Sequence, residues 1–287
     1  MTMRILYFSQ YFPPEVGATQ TRAYEMARGL VQAGHRVTMV TEVPNHPSGI
    51  IPSDYRGKWY EWSKLDGIDV LRVWVKASPV KSFRSRMAFY LSYMANSAFV
   101  SALQARGPFD VVYATSPPLF VGGAGLALHW LKRTPFVFEV RDLWPESAVV
   151  LGELRSPRAI ALATRLEELC YNRASRVVVV TEGIRQRLLA RGQAAEKLIL
   201  IPNGANTELF QPQPALGAEF RQRHGLRPDD FVVTYAGIHG LAQGLETVLH
   251  AARVLRNQAG IRFVMVGEGP VKLSCSSCGL IWAWTTS

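Results

Sequence analysis

Cysteine is scarce in this chain of 287 residues: there are three, Cys170, Cys275 and Cys278. Three thiols build no disulfide framework, and a reducing cytoplasm is the expected setting. Cys275 and Cys278 form a lone CxxC with no second pair and no histidine close by, so the pattern lacks a zinc set and reads as accidental spacing. The chain enters a strand directly after Met-Thr-Met-Arg, which leaves no room for a signal peptide. A long hydrophobic run is also missing. Met87 to Ala105 carries no charge over nineteen residues, but Ser92, Asn96, Ser97, Ser101 and Gln104 interrupt it, so it is read as a helix outside the bilayer core rather than a membrane span. No GxGxxG follows the first strand and no GxxxxGK[ST] occurs anywhere, which argues against nicotinamide and ATP chemistry. The chain has no Asp-x-Asp pair and no metal-ligand histidine cluster, and neither a metal nor a cofactor is expected. No nucleic-acid-binding module is recognisable either, so nucleic acid is not expected as a partner despite the basic charge.

What is present is apolar and basic. Hydrophobic residues make up 48% of the chain and the net charge is +10, which suits a globular protein with an anionic partner. The charge is uneven: residues 1–205 hold 25 Lys and Arg against 16 Asp and Glu, and residues 206–287 hold 7 against 6. The anionic partner is therefore expected to meet the first part.

Short β-rich runs recur at 4–9, 36–41, 70–75, 110–115, 136–140, 176–181 and 197–202, with helical patterns between most of them. The first helix is expected from about Gln20 to Ala33. Near-continuous apolar strands alternating with helices predict a doubly wound α/β domain over 1–205, its parallel sheet covered on both faces. The Pro- and Asn-rich stretch NGANTELFQPQP after Pro202 reads as a linker. A strand at 231–237, a helix from Leu245 to Asn257 and a strand at 261–267 then form a fresh βαβ unit, after a lead-in helix around 216–224. A doubly wound domain ordinarily takes about 100–200 residues, and fewer follow the linker here. The text changes character after Lys272, with LSCSSCGLIWAWTTS lacking a helical period. The expectation is an incomplete second domain over 206–272 followed by an aberrant tail over 273–287, from truncation or a frameshift, with an ordinary flexible tail as the alternative.

Local features suggest where chemistry would sit. Gly17-Ala18-Thr19-Gln20 opens the first helix, where free backbone N–H groups and the positive dipole end suit an anion; a plain cap by Thr19 or Thr21 explains the loop equally well. Asp142, in Arg141-Asp142-Leu143-Trp144-Pro145-Glu146, follows a strand end, where ligands bind in open α/β sheets; an Arg141 salt bridge to Asp142 or Glu146 that fixes the loop is the alternative. His46 follows another strand end. Gly122-Gly123-Ala124-Gly125 suits close helix packing better than a phosphate cradle.

The stretches YFPPEVGATQTRAYEMARGLVQAGHRVTMVTEVPNHPSG, FEVRDLWPES, IPNGANTELF, YAGIHGLAQGLETVL and VGEGP, in that order over residues 3 to about 272, resemble the retaining family-4 glycosyltransferases. Within that family the likeness is to bacterial enzymes of O-antigen, capsule and exopolysaccharide synthesis, the fucosaminyl-transferase-like branch included. The resemblance implies a GT-B fold: an N-terminal Rossmann-like domain on the acceptor side and a C-terminal one on the nucleotide-sugar side. It implies metal-independent hexosyl or N-acetylhexosaminyl transfer, with retained anomeric configuration, from a UDP-sugar donor to a polyprenyl-diphosphate-linked saccharide. The work would be done peripherally at an anionic membrane surface, on the inner face of the plasma membrane.

Residue by residue, the resemblance puts Gly17 near the donor diphosphate, Thr19, Gln20 and His46 on the acceptor side, and Asp142 beside the transferred sugar as the catalytic candidate. Gly237, His239, Gly240, Gln243 and Gly244 fall in the donor-phosphate loop, and Glu268 in the turn near the base. The chain departs from the commoner pattern at Ile238 and Gln243, where many relatives carry Arg and Lys, so cationic compensation must come from elsewhere. The family's Glu-x7-Glu segment is absent from these residues, so deficient transfer is expected, with a noncatalytic fragment that keeps acceptor or membrane binding as the alternative. An epimerase on the same architecture would need paired acid and base residues reaching the sugar, and no such set stands out. The basic, aromatic stretch 81–106 suits an interfacial helix at an anionic membrane, or an amphipathic helix packed on the sheet.

Overall fold

A computed structural model describes residues 1–80, 82–267, 269 and 280–283 of the chain, the last four through their backbone. It divides into two compact units, Met1–Gly204 and Ala205–Ser287.

The first unit is a single sheet of eight strands flanked by helices. In chain order these are β1 (Arg4–Phe8), α1 (Ala18–Gln32), β2 (Arg36–Glu42), β3 (Tyr60–Leu65), β4 (Ile68–Val73), α2 (Phe83–Gln104), β5 (Val111–Ser116), α3 (Phe120–Lys132), β6 (Phe136–Val140), α4 (Glu146–Val150), α5 (Pro157–Arg173), β7 (Arg176–Val179), α6 (Glu182–Ala190) and β8 (Leu198–Leu200). The strand order is β3-β4-β2-β1-β5-β6-β7-β8. Every pairing is parallel except β3 with β4, which is antiparallel. The seven expected strands all form, each within two residues of its expected start. The eighth, β3, is an addition: YEWSKL has no apolar run because it is an edge strand with one neighbour and a largely exposed surface.

Alternation along the strands divides the core. On one face Leu6, Phe8, Leu71, Val73, Val112, Ala114, Phe136 and Phe138 pack with residues of α2, α3 and α5. On the other, Ile5, Tyr7, Met39, Ile68 and Val70 pack with Ala23 and Ala27 of α1. The glycine cluster of α3 serves packing, as expected. A Cβ at Gly122 would lie 2.7 Å from Phe138 Cε2, and one at Gly125 2.9 Å from Ala114 Cβ, so the bare backbone lets α3 sit on β5 and β6. Cys170 is buried against Gly122, and burial pushes its thiol up to about 12, which makes it an inert core residue.

The second unit has α7 (Pro214–Arg223), β9 (Phe231–Ala236), α8 (Glu246–Val254), β10 (Ile261–Val266) and β11 (Leu280–Ala283). Its sheet runs β11-β10-β9, all parallel. Part of the stretch expected as an aberrant tail thus forms a strand beside β10.

Candidate functional site

In the first unit β1 pairs with β2 on one side and β5 on the other, so the chain reverses direction across the sheet at β1. The crevice outside the carboxyl ends of strands at such a point is where open α/β sheets place ligands. Gly17, Thr19, Gln20, His46 and Asp142 all lie in segments that follow the carboxyl ends of β1, β2 and β6.

The segment after β1 leads to α1 through Gly17, the N-cap residue, with extended backbone and no side-chain cap. Thr19 and Thr21 lie inside the first turn of α1 rather than at the cap position, so neither caps it. A helix begun this way leaves its first N–H groups without side-chain acceptors and concentrates positive dipole there. Gln20 is buried, and a Cβ at Gly17 would lie 2.5 Å from its Oε1.

Beneath this turn lies a group of charged and polar side chains on what is otherwise an apolar face. Glu139, next to the carboxyl end of β6, is fully buried. Its Oε1 accepts from Arg22 of α1, at 2.9 Å from Nε and 2.5 Å from Nη2. The same guanidinium donates to the carbonyls of Ile201 and Pro202 at 3.0 and 3.1 Å, which tethers the end of the unit. Tyr7 and Tyr113, register partners on β1 and β5 with rings 4.7 Å apart, share the face. Burial pushes both hydroxyls well above the usual phenol range, and the Glu139 carboxylate adds to the shift.

Arg141, one residue past β6, completes the group. Its Nη2 donates to Thr19 Oγ1 at 3.4 Å. Among the described residues no acceptor meets its Nε or Nη1, both of which are buried. Burial lowers its pKa from the usual guanidinium value, while Glu139 works against that shift. A guanidinium bonded to the first turn of α1 at the carboxyl edge of the sheet has the charge and fork geometry that suit a phosphoryl group.

Asp142 is exposed and accepts from Ser147 Oγ at 2.9 Å. The alternative of a salt bridge from Arg141 to Asp142 or Glu146 does not form: Glu146 pairs with Arg187 at 2.9 Å. Trp144 is half-buried against the core, 5.5 Å from Phe120, and Pro145 is buried.

A second buried network holds the segments after β1 and β2 together. Glu15 Oε1 accepts from the backbone N–H groups of Asn45 and His46, at 2.6 and 2.7 Å. Glu42 accepts from Gln10 Nε2 and Asn45 Nδ2, each at 2.8 Å. Arg72, also buried, donates to Pro13 O at 2.5 Å. Burial raises the Glu42 carboxyl well above the usual carboxylate range, with the Glu15 charge adding to it. His46 is held through its backbone, with its side chain exposed 6.1 Å from the Tyr11 ring.

In the second unit the glycine loop follows β9. Gly237 N–H donates to Val266 O at 2.9 Å, His239 is buried, and Gly240 precedes a short turn that ends at Gly244 in left-handed conformation before α8. Gln243 is exposed. Gly267 has a φ of 139°, and a Cβ there would lie 1.9 Å from Gly237 O; one at Gly269 would lie 2.1 Å from His239 O. The two glycine segments therefore meet backbone to backbone. Glu268, Cys275 and Cys278 lie outside the described residues. Among the described residues no group of three or more His, Cys, Asp or Glu is placed to hold a metal ion. A cavity of about 450 Å³ is lined by residues 107–110 and 132–135 just before β5 and β6, at the strand ends opposite to this crevice.

A mostly parallel α/β sheet of this order is the architecture of GT-B glycosyltransferases. The structure of HepE from Anabaena in complex with UDP-glucose superposes with a TM-score of 0.60 at 16% identity, over 93% of this chain and 61% of that one. The structure of WaaG, described as a glycosyltransferase involved in lipopolysaccharide biosynthesis, gives a TM-score of 0.62 at 13% identity, over 98% of this chain and 70% of that one. Residues 17–204 match the glycosyl transferase 4-like domain, and the chain belongs to that family. Among curated proteins it is 25% identical over 271 residues to WcaI of Escherichia coli K12, named as a colanic acid biosynthesis glycosyl transferase, covering 93% of this chain and 66% of that protein. The chain thus spans slightly less than two thirds of the length of this relative.

Proposed function

We propose that the protein acts in cell-surface polysaccharide or glycolipid synthesis, as a retaining, metal-independent glycosyltransferase that takes a sugar from a UDP-linked donor to a lipid-linked saccharide. The observation that carries the reading is Arg141. Its guanidinium bonds the first turn of α1, which has no side-chain cap, at the carboxyl edge of the sheet.

In sugar transfer the bond from the anomeric carbon to the diphosphate oxygen breaks and its electron pair leaves with the diphosphate, while the acceptor oxygen bonds to the anomeric carbon. Fixed donors aimed at the phosphoryl oxygens stabilise that departing charge. The uncapped N–H groups of α1 and the Arg141 guanidinium supply them. Ion pairing with Glu139 fixes Arg22 beneath the turn. Asp142 is assigned to the transferred sugar and His46 to the acceptor side, both from exposed positions after strand ends.

UDP-glucose bound to HepE supports a nucleotide-sugar donor, and the names of WcaI and WaaG support a surface-polysaccharide acceptor. Incubating the chain with radiolabelled UDP-sugars and polyprenyl-diphosphate saccharides tests the reading. Saturable UDP-sugar binding with sugar passing into the lipid phase, however slowly, supports it. A chain that binds none of the UDP-sugars refutes it.

A further inference from the structure

The amino edge of the first sheet, opposite to the crevice, carries a row of basic residues. Arg36 opens β2, Arg4 opens β1, Arg106 precedes β5, Lys132 and Arg133 precede β6, and Arg176 opens β7. The row therefore runs across five neighbouring strands. Among the described residues none of the six forms an ion pair. Part of the charge answers the carboxyl end of a helix: Lys132 Nζ donates to the Ala105 carbonyl at 3.0 Å and Arg4 Nη2 to that of Arg106 at 3.3 Å, both just past α2. The ends of α2 and α3 bring about half a negative charge each to this edge, and Asp110 adds one acid. Set against Arg4, Arg106, Lys132 and Arg133, they leave about two positive charges in excess.

The excess lies at the cavity between the two connections that lead from α2 into β5 and from α3 into β6. Both connections read Arg-x-Pro-Phe, as Arg106-Gly107-Pro108-Phe109 and Arg133-Thr134-Pro135-Phe136. Their backbones are fixed. Arg4 N–H donates to Asp110 Oδ2 at 2.7 Å, Asp110 N–H returns to Arg4 O at 2.9 Å, and Val112 N–H holds the Pro135 carbonyl at 2.8 Å. The Arg4 guanidinium and the Lys132 ammonium both approach the Phe109 ring, at 5.5 and 5.8 Å from its centroid, so one side chain gathers two like charges. Arg4 also lies against Gly107, where a Cβ would sit 2.9 Å from both of its terminal nitrogens. Arg133 has a φ of 50°, in the left-handed region, at the end of α3, where helices ordinarily place glycine or asparagine. An arginine kept there against its backbone preference brings its charge to the cavity wall.

We infer that this cavity binds a small molecule bearing an oligophosphate chain, at a site separate from the crevice. Arginine forks match phosphoryl oxygens two at a time and a lysine ammonium adds a point charge. Each connection brings its own arginine, so more than one phosphoryl group is engaged. A cavity of this volume takes a small molecule rather than a folded partner. Asp110, exposed on the other connection, repels phosphate and directs the chain towards Lys132 and Arg133. Arg36 and Arg176, further along the row, raise the potential of the whole edge and speed the arrival of an anion. None of these residues stands at the carboxyl edge, and the site does not depend on the transfer reaction.

Calorimetric titration of the full chain with inorganic tripolyphosphate tests this without donor or acceptor. Arg106→Ser with Arg133→Asn takes two exposed cations from the cavity, and asparagine tolerates the left-handed conformation. Loss of these charge-assisted contacts is expected to weaken binding by about tenfold or more. Arg141→Ala, at the crevice, is expected to keep a tripolyphosphate site of wild-type affinity, so that failure at the crevice and failure here are told apart. Lys76→Ser with Arg84→Ser, which removes the same charge from exposed positions elsewhere on the first unit, is expected to change nothing. A wild-type chain that binds no tripolyphosphate would overturn the inference, as would wild-type affinity in the Arg106 and Arg133 variant, verified as folded by circular dichroism. Equal loss in both paired variants would also overturn it, because net charge alone would then attract the anion. So would an oligoglutamate peptide that binds more tightly than tripolyphosphate and is released by Arg36→Ser with Arg176→Ser, because the row would then receive an acidic protein segment.

Discussion

Arg22 of α1 and Glu139 of β6, 117 residues apart, form a buried ion pair in which one carboxylate oxygen takes both Nε and Nη2 of the guanidinium. The pair exposes 8% of the arginine side chain and none of the glutamate. It joins the first helix to the centre of the sheet at the edge where Arg141 stands. Removing one partner leaves a buried charge unanswered, at about 3–5 kcal/mol. Glu139→Ala is expected to destabilise the first unit by that amount in urea denaturation. Exchange of both residues for methionine is expected to cost much less, because no charge is then stranded.

Glu42 makes stability depend on pH with a definite sign. Its carboxyl is held well above the usual range in the folded chain by burial and by Glu15. Unfolded, it ionises in the ordinary glutamate range. Its contribution is therefore fully present below that range and is lost as pH rises towards the folded value, by at most about 1.4 kcal/mol per pH unit. Glu42→Gln removes this loss and keeps a neutral group between Gln10 and Asn45. The variant is expected to gain in melting temperature over the wild type as pH rises from 5 to 8, and to show no gain at pH 4. Equal differences at all pH values would mean that Glu42 is ionised in the fold.

Gly267 carries the contact between the two glycine segments of the second unit. Alanine there would meet the Gly237 carbonyl at 1.9 Å and adopt a left-handed φ besides. Gly267→Ala is expected to destabilise the second unit by more than about 1 kcal/mol while the first unit's own transition is unchanged. Gly217→Ala, in open space on α7, is the matched control and is expected to be neutral or slightly stabilising. Hydrogen exchange resolved by unit reads both.

Much of the fold could be read from the residues because it follows from periodicity. FVFEV is β6 to the residue, and the apolar runs of β1, β2, β5 and β7 are each found within two residues at either end. The edge strand β3 escaped that reading because aromatic and charged residues share it. The candidate site reads in the sequence only as places in the chain: Gly17 and Thr19 at the opening of the first helix, Asp142 and His46 after strand ends. The connections among them do not. Arg141 meets Thr19 across 122 residues, and Glu15 meets Asn45 across 30. One signal was available: a glutamate within FVFEV, flanked by apolar residues, requires a cation once the strand is buried. Which of 32 basic residues answers it depends on the packing of α1, which no local pattern encodes.

Arg141 and the start of α1 are proposed to receive a diphosphate. Calorimetric titration of the full chain and of Arg141→Ala with UDP, inorganic pyrophosphate and farnesyl diphosphate tests it directly. Loss of a charge-assisted contact is worth about 1.5–3 kcal/mol, so the variant is expected to bind at least about tenfold more weakly to whichever of these the wild type binds. Weakening towards UDP alone assigns the site to the donor, and weakening towards farnesyl diphosphate alone assigns it to the acceptor. Equal affinity of the two proteins for all three ligands would show that Arg141 holds no diphosphate.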